Sequence, residues 1–419
     1  MKKIIFIIFL SRLLFAEDDF KSLVIKINNN NPSVLMGNRE IKSSEFAVES
    51  AMWEYYPTPS VDVSRSDKGT KTTAKLEQPI WTGGKLDSNY KQKISNKDEA
   101  FYTLEEKKYK LIKLMLDYSQ TYVQAKYTNI ALTEGLDRLN EFTSMIDRKI
   151  ALGLASKSDK RLLESRLTQI KSDLINSEHK QRTSMKQLSI LVGENLNDIN
   201  FEDVVELKGL RGEYLQTKVI EFNPSLYVFK QKIKTAIYEI EKQEARIYPN
   251  LSVIGEYSKG NLYEDTDEEN TAIYLNLRSD LGAGLSVLSN IKQAKTDVEK
   301  IEFEMKTVEN DSIDSFWQDY NNYIVSKNKI DNYKLNKDSA TDVFESNKRL
   351  FLADKKQWLD LVNSSKEVMD IDVALAESKA VFVFSKYKIA LQSGLINLDN
   401  GSYVQLDNKE LKNIFNINN

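Results

Sequence analysis

Residues 56–65 read Tyr-Pro-Thr-Pro-Ser-Val-Asp-Val-Ser-Arg, and residues 248–258 read Tyr-Pro-Asn-Leu-Ser-Val-Ile-Gly-Glu-Tyr-Ser. In the first stretch Val61 and Val63 alternate with Asp62 and Ser64. In the second, Leu251, Val253 and Tyr257 share one side. Alternation with period two marks a strand with one apolar and one polar face. A second segment of the same kind follows each. In Thr70–Ile80, Ala74 and Leu76 alternate with Lys75 and Glu77; in Thr271–Leu281, Ile273, Leu275 and Leu277 fall on one side. The segments are about ten residues long, close to what a tilted membrane-spanning strand requires.

The two strand pairs belong to a duplication. Asn31-Pro32 returns as Asn223-Pro224 and Tyr56-Pro57 as Tyr248-Pro249, both 192 positions later. Gly83, Asp159 and Gly193 return as Gly284, Asp360 and Gly394, 201 positions later. One copy therefore gains nine residues between Pro249 and Gly284. The turn Ser66–Gly69 is short, whereas its counterpart is the acidic stretch from Lys259 to Asn270, so the extra residues are expected in an exposed hairpin tip. A repeat of nearly 200 residues is a copied subdomain, far longer than a solenoid repeat.

Proline placement defines the rest. The six prolines are Pro32, Pro57, Pro59, Pro79, Pro224 and Pro249. Proline inside a helix costs about 3 kcal/mol, so the two long proline-free stretches are open to long helices. Proline at a helix start is favourable, which predicts helices over Ser33–Tyr55 and Ser225–Ile247. After the strands, Gly84–Leu152 is read as one helix, with Gly135 as its lone interior glycine. Its length would be about 100 Å at 1.5 Å per residue. Leu111, Met115, Tyr118, Tyr122, Ala125, Leu132, Leu136, Leu139, Ile146 and Ile150 step by threes and fours, a seam for helix packing. The chain turns at Gly153–Ser156, with Ser156 or Ser158 as helix cap, and returns over Lys157–Val192. The second copy repeats this: Ser286 to about Leu352, a turn near Ala353-Asp354, and a return to about Ser393. Asp354 stands where the first copy has Gly153, and aspartate tolerates left-handed backbone better than most residues.

Composition narrows the function. With one histidine, His179, and no cysteine, thiolate or imidazole metal sites, a cysteine nucleophile and disulfides are excluded. The 59 basic and 62 acidic residues are well mixed, which argues against nucleic acid as a partner. No nucleophile–base pair or phosphate loop appears, so no enzyme is expected and no cofactor is implied. Lys2-Lys3, the apolar run Ile4–Leu10, and Leu13-Leu-Phe-Ala16 read as a signal peptide ending at residue 16. An exported, unlipidated chain is expected. The domain plan is residues 1–16 as signal peptide, 17–222 and 223–396 as the repeats, and 397–419 as a tail.

Four strands cannot close a barrel, and an open sheet edge in lipid leaves backbone groups unpaired at several kcal/mol each. Three chains would supply twelve strands, within the known range for such barrels. The charged long helices cannot cross lipid and must project from the barrel into the periplasm.

Leu76-Glu-Gln78-Pro79-Ile-Trp81-Thr-Gly83-Gly84, Gly153-Leu-Ala-Ser-Lys-Ser-Asp159 and Trp358-Leu-Asp360-Leu-Val-Asn363, in this order within the duplication, resemble the TolC family of outer-membrane channel-tunnels. The resemblance spans roughly residues 31–396. It implies an α+β membrane protein: a homotrimer in the outer membrane with a twelve-stranded barrel in lipid and a long α-helical periplasmic tunnel. It also implies a periplasmic adaptor and an inner-membrane pump, ABC-type or proton-driven, as partners.

Site residues follow from the same resemblance. The tunnel entrance of such channels is ringed by acidic residues. Asp360 matches the first and Asn363 the second, so this chain loses one charge. A carboxylate ring favours cations. The entrance is held shut by polar links between hairpins; Asp159, Lys356 and Phe351 stand at the matching positions, Phe351 in place of a tyrosine. An Asp159–Lys356 pair is expected as latch, with Gly153 and Asp354 at the hairpin turns. Trp53, Tyr55, Tyr56, Trp81, Tyr257 and Tyr274 flank the strands, some of them in an interfacial belt. The glycine-serine phrase Arg278–Ser289 resembles members serving type I protein secretion. Small-molecule efflux is the alternative cargo, and a periplasmic coiled-coil scaffold without a channel is the second alternative.

Overall fold

The computed structural model describes residues 18–201, 205, 207, 210–279 and 286–403. Residues 1–17, which include the expected signal peptide, Leu281, Gly282, Gly284 and residues 404–419 lie outside the described residues.

The element order is α1 (Phe20–Asn30), α2 (Pro32–Trp53), β1 (Thr58–Arg65), β2 (Thr70–Trp81), α3 (Lys85–Ala151), α4 (Lys157–Val192), α5 (Gly212–Phe222), α6 (Pro224–Ala245), β3 (Asn250–Lys259), β4 (Glu269–Arg278), α7 (Val287–Leu352) and α8 (Trp358–Gln392). The duplication is visible in these bounds. Helices α1 and α2 begin and end 192 residues before α5 and α6, and α3 ends 201 residues before α7. Proline marks both α2 and α6 at their first residue. Asn223 caps α6 by accepting the Ser225 amide at 2.9 Å.

The strands form one antiparallel sheet in the order β1-β2-β3-β4. Its register locates the inserted residues. Thr58 faces Glu77, and Asn250, 192 positions after Thr58, faces Arg278, 201 positions after Glu77. The nine-residue difference is therefore contained in the second hairpin, partly as longer strands and partly as its acidic tip. That tip folds onto the short β1–β2 turn, where Ser66 donates to the Leu262 carbonyl. Only glycine fits at position 69, because an added Cβ would stand 2.1 Å from the Asn261 carbonyl oxygen.

By contact, the chain divides into two units drawn from both repeats. One comprises residues 32–109 and 220–314 and holds the sheet. The other comprises residues 1–31, 110–219 and 315–419 and holds both helical hairpin turns. In the second unit Leu132, Leu139, Phe142 and Ile146 of α3 share a core with Leu163 and Leu167 of α4, Phe344 and Phe351 of α7, and Trp358 and Leu361 of α8. The expected seam of α3 supplies much of this core. Ile112, Leu116 and Phe142 are also fully buried, so the helix packs along more than one stripe.

Polar ties thread the same unit. Asp372 of α8, only 8% exposed, meets Lys337 of α7 at 2.6 Å and Arg138 of α3 at 3.6 Å. Asp319 of α7 is buried and accepts from the Gln392 side chain at 2.7 Å. No helix among the described residues is long and apolar enough to cross a membrane.

Candidate functional site

The sheet has two chemically opposite faces, which the register assigns. Residues directly opposite in an antiparallel pair share a face. Val61 faces Ala74, Ala74 faces Tyr257, and Pro59 faces Leu76; Gly255 faces Ile273, Val253 faces Leu275, and Leu251 faces Leu277. One face thus carries Pro59, Val61, Val63, Ala74, Leu76, Leu251, Val253, Tyr257, Ile273, Leu275 and Leu277. The other carries Ser60, Asp62, Ser64, Thr73, Lys75, Glu77, Ser252, Glu256, Ser258 and Asn276, together with Ile254, which is buried, and Tyr274. The apolar face is the uncovered one: Val61 is 71% exposed, Ile273 80% and Leu275 71%. A monomer in water has no physical reason to present such a face. On the polar face Thr73, Ser252 and Ser258 are buried, Lys75 pairs with Glu256 at 3.4 Å, and Tyr274 donates to Glu256 at 3.0 Å.

Neither outer strand has a second neighbour among the described residues. Edge strands β1 and β4 therefore present free backbone donors and acceptors beside exposed apolar side chains. This combination templates pairing with another chain. Direction alternates from β1 to β4, so the two edge strands run antiparallel to each other.

The structure sorts the strand-flanking aromatics. Trp53, Tyr56 and Trp81 are exposed at the strand end opposite the hairpin tips, and Tyr248 lies with them. Trp53 packs against Tyr56 at 5.2 Å between ring centroids, and Trp81 against Tyr248 at 6.0 Å. Trp81 pairs with Leu251 after a register shift at Ile80, which continues the apolar face. Tyr55 instead turns its hydroxyl to Asp87 at 2.7 Å. Burial and this carboxylate raise the Tyr55 pKa. Tyr257 lies on the apolar face and Tyr274 on the polar one.

The two hairpin turns share one geometry. Gly153 has φ of 74°, with Leu154 donating to the Lys149 carbonyl at 2.8 Å. Asp354 has φ of 58°, with Lys355 donating to the Leu350 carbonyl at 2.9 Å. Among the described residues Asp354 is the one non-glycine with positive φ. The repeat-based equivalence of these positions therefore holds in the backbone.

The expected Asp159–Lys356 pair is not made within this chain. Asp159 completes a capping box at the start of α4: it accepts the Ser156 amide at 2.9 Å and donates its own amide to the Ser156 hydroxyl at 3.2 Å. Lys356 lies 3.6 Å from Asp360, one turn along its own hairpin. Ser156, and not Ser158, is the cap. The tie between hairpins is made by a residue the sequence reading missed. Lys149, in the last turn of α3, engages the Asp354 carboxylate, approaches the Phe351 carbonyl at 3.4 Å, and lies 4.2 Å from the Phe351 ring centroid. Phe351 is buried against Trp358, a core role that needs no hydroxyl. Asp360 sits half-exposed in the first turn of α8, where a carboxylate suits the helix dipole. Asn363, one turn on, is exposed. No group of three or more potential metal ligands occurs among the described residues.

The chain resembles known proteins in sequence and in fold. It is 20% identical over 347 residues to the alkaline protease secretion protein AprF of Pseudomonas aeruginosa, covering 78% of this chain and 70% of that protein. Its fold matches the outer-membrane channel OprN with a TM-score of 0.78 at 11% identity, covering 91% of this chain and 90% of that one. The Campylobacter jejuni outer-membrane channel CmeC matches with a TM-score of 0.76 at 15% identity, over 96% of this chain and 89% of that one. The Vibrio cholerae outer-membrane protein VceC matches with a TM-score of 0.76 at 11% identity, over 91% and 96%. No protein-family profile matches the chain. The fold expected from the TolC-family resemblance, long helices with a four-stranded antiparallel sheet, is the fold found.

Proposed function

We propose that this chain is the subunit of a trimeric outer-membrane channel-tunnel that conducts substrate passively from an inner-membrane pump and periplasmic adaptor to the exterior. One observation carries this reading: a four-stranded sheet with an exposed apolar face, a polar face, and two unpaired edges. In a twelve-stranded ring the apolar face meets lipid, the polar face lines the lumen, and each β4 pairs with the next β1, so no edge is left in hydrocarbon. The likeness to AprF, a protein named for protease secretion, favours type I protein secretion as the task. The solved outer-membrane channels of the same fold keep small-molecule efflux as the second reading. A helical scaffold without a channel has no use for the apolar face.

In this reading Asp360 and Asn363 face the entrance as rings of three, and the Lys149–Asp354 contact takes the part of the latch expected of Asp159 and Lys356. An exposed ion pair is worth about 0–1 kcal/mol, which suits an entrance that an adaptor must open. Planar-bilayer recording tests it. Lys149→Ala is expected to raise open-channel conductance and Asp360→Asn to weaken cation preference; a water-soluble protein with no conductance would remove the channel reading.

A further inference from the structure

We infer that the helical unit holds a binding site for an amphipathic organic anion, an acid group on an apolar chain, in a cavity walled by α3, α8 and residues 199–201. The site goes beyond the channel reading and does not depend on the barrel. The cavity has a volume of about 620 Å³ and lies wholly within the unit of residues 1–31, 110–219 and 315–419. Small-ligand pockets span roughly 300–1,000 Å³. Alanine stands at three lining positions, Ala131 of α3 and Ala376 and Ala380 of α8, and leaves space that larger side chains would take. Phe384 of α8 is fully buried at the cavity and packs on Phe201 at 4.8 Å between ring centroids. On the α3 side the lining residues Tyr127 and Ile130 are 51% and 48% exposed, so apolar surface is open to water there.

The charges choose the ligand. Two lining cations are already engaged: Lys126 meets Asp198 at 2.6 Å and Lys337 meets Asp372 at 2.6 Å. Arg138 stands 3.6 Å from Asp372 as well. Asp372 is thus buried between two cations and offers little to a cationic ligand. Lys379 lines the cavity, is exposed, and forms no ion pair among the described residues. It lies one turn of α8 from both Ala376 and Val383, which also line the cavity. A lysine so placed can lay its stem on the apolar wall and hold its ammonium in water at the mouth. Glu134 is the exposed lining carboxylate. Four cations (Lys126, Arg138, Lys337, Lys379) stand against three carboxylates (Glu134, Asp198, Asp372), which leaves the site one charge positive. An apolar chain in the cavity removes Tyr127 and Ile130 from water, and its acid group meets Lys379.

Laurate and dodecylammonium, equal in chain length and opposite in charge, are the probes. Native mass spectrometry of the full chain, released from a neutral detergent, counts the molecules bound. Laurate is expected to saturate at one per chain, and dodecylammonium to bind at least tenfold more weakly. Lys379→Glu, an exposed change, is expected to weaken laurate at least fivefold. Ala376→Trp, which fills the cavity, is expected to abolish laurate binding and leave the assembly of chains unchanged. Equal uptake of the two probes, or laurate binding to both variants as to the parent, would overturn the site. Two other occupants would also overturn it. If the parent takes no laurate and Ala376→Trp breaks the assembly apart, a second copy fills the cavity. If laurate binds only after residues 404–419 are removed, the tail fills it. The channel reading rests on conductance and stands or falls separately.

Discussion

Asp354 occupies a left-handed backbone position with its carboxylate engaged by Lys149. Two effects oppose each other there. Left-handed geometry costs a non-glycine residue about 1–2 kcal/mol, whereas the half-exposed ion pair returns about 0–1 kcal/mol. Asp354→Gly is therefore expected to be neutral or stabilising by up to about 1 kcal/mol. Asp354→Ala keeps the strain, loses the pair, and is expected to destabilise by about 1 kcal/mol. Thermal unfolding of the two variants side by side checks the ordering. Asp319 supplies a pH dependence. Burial raises its pKa; Lys388 and Lys113 oppose the shift, the Gln392 bond also lowers it, and Asp117 adds to the rise. A carboxyl with a raised folded pKa favours folding below its unfolded value of 3.8 and loses that contribution as pH rises through its folded pKa. The stability gap between Asp319→Asn and the parent is thus expected to be positive at neutral pH and to shrink on acidification. Melting curves across that range would contradict this if the asparagine variant were the less stable at neutral pH.

At the scale of elements, the sheet face is the decisive feature. Leu275 and Asn276 are neighbours on β4 but point to opposite faces. An arginine on the lipid face near the midplane costs about 2–4 kcal/mol, while lumen substitutions mainly tune selectivity. Leu275→Arg is expected to block membrane assembly; Asn276→Arg is expected to assemble and shift ion preference toward anions. Fractionation followed by bilayer recording separates them, and equal behaviour would argue against two distinct faces. Strand and helix bounds were legible in the chain because period-two alternation, proline and glycine mark them locally. Helices α1 and α5 escaped notice, since each is only 11 residues and lies before its marker, Asn31-Pro32 or Asn223-Pro224. The aromatic sorting was not legible either, because it depends on strand register and on the shift at Ile80. The ion pairs of Lys149 and Asp372 and the Gln392–Asp319 hydrogen bond required knowing which helices adjoin. The capping box that engages Asp159 within its own hairpin was not foreseen, because Ser156 and Ser158 were both candidate caps in the sequence.

At the scale of the whole molecule, the repeats give each chain two hairpins in one sheet, with each strand antiparallel to the next. An even number of such strands allows ring closure in which every junction, within or between chains, has the same antiparallel form. The absence of native cysteine makes the junction open to chemical test. Adjacent strands lie about 4.8 Å apart, so thiols on β1 and β4 of neighbouring copies fall within reach of a short bis-maleimide. The most direct measurement is the mass of the product formed when membranes carrying the Val61→Cys, Leu275→Cys double variant are treated with that reagent and denatured. Closure by β4 on the next β1 predicts a ladder of monomer, dimer and trimer that ends at the trimer, and only when both cysteines are present; monomer alone, or a ladder running past three, would contradict it.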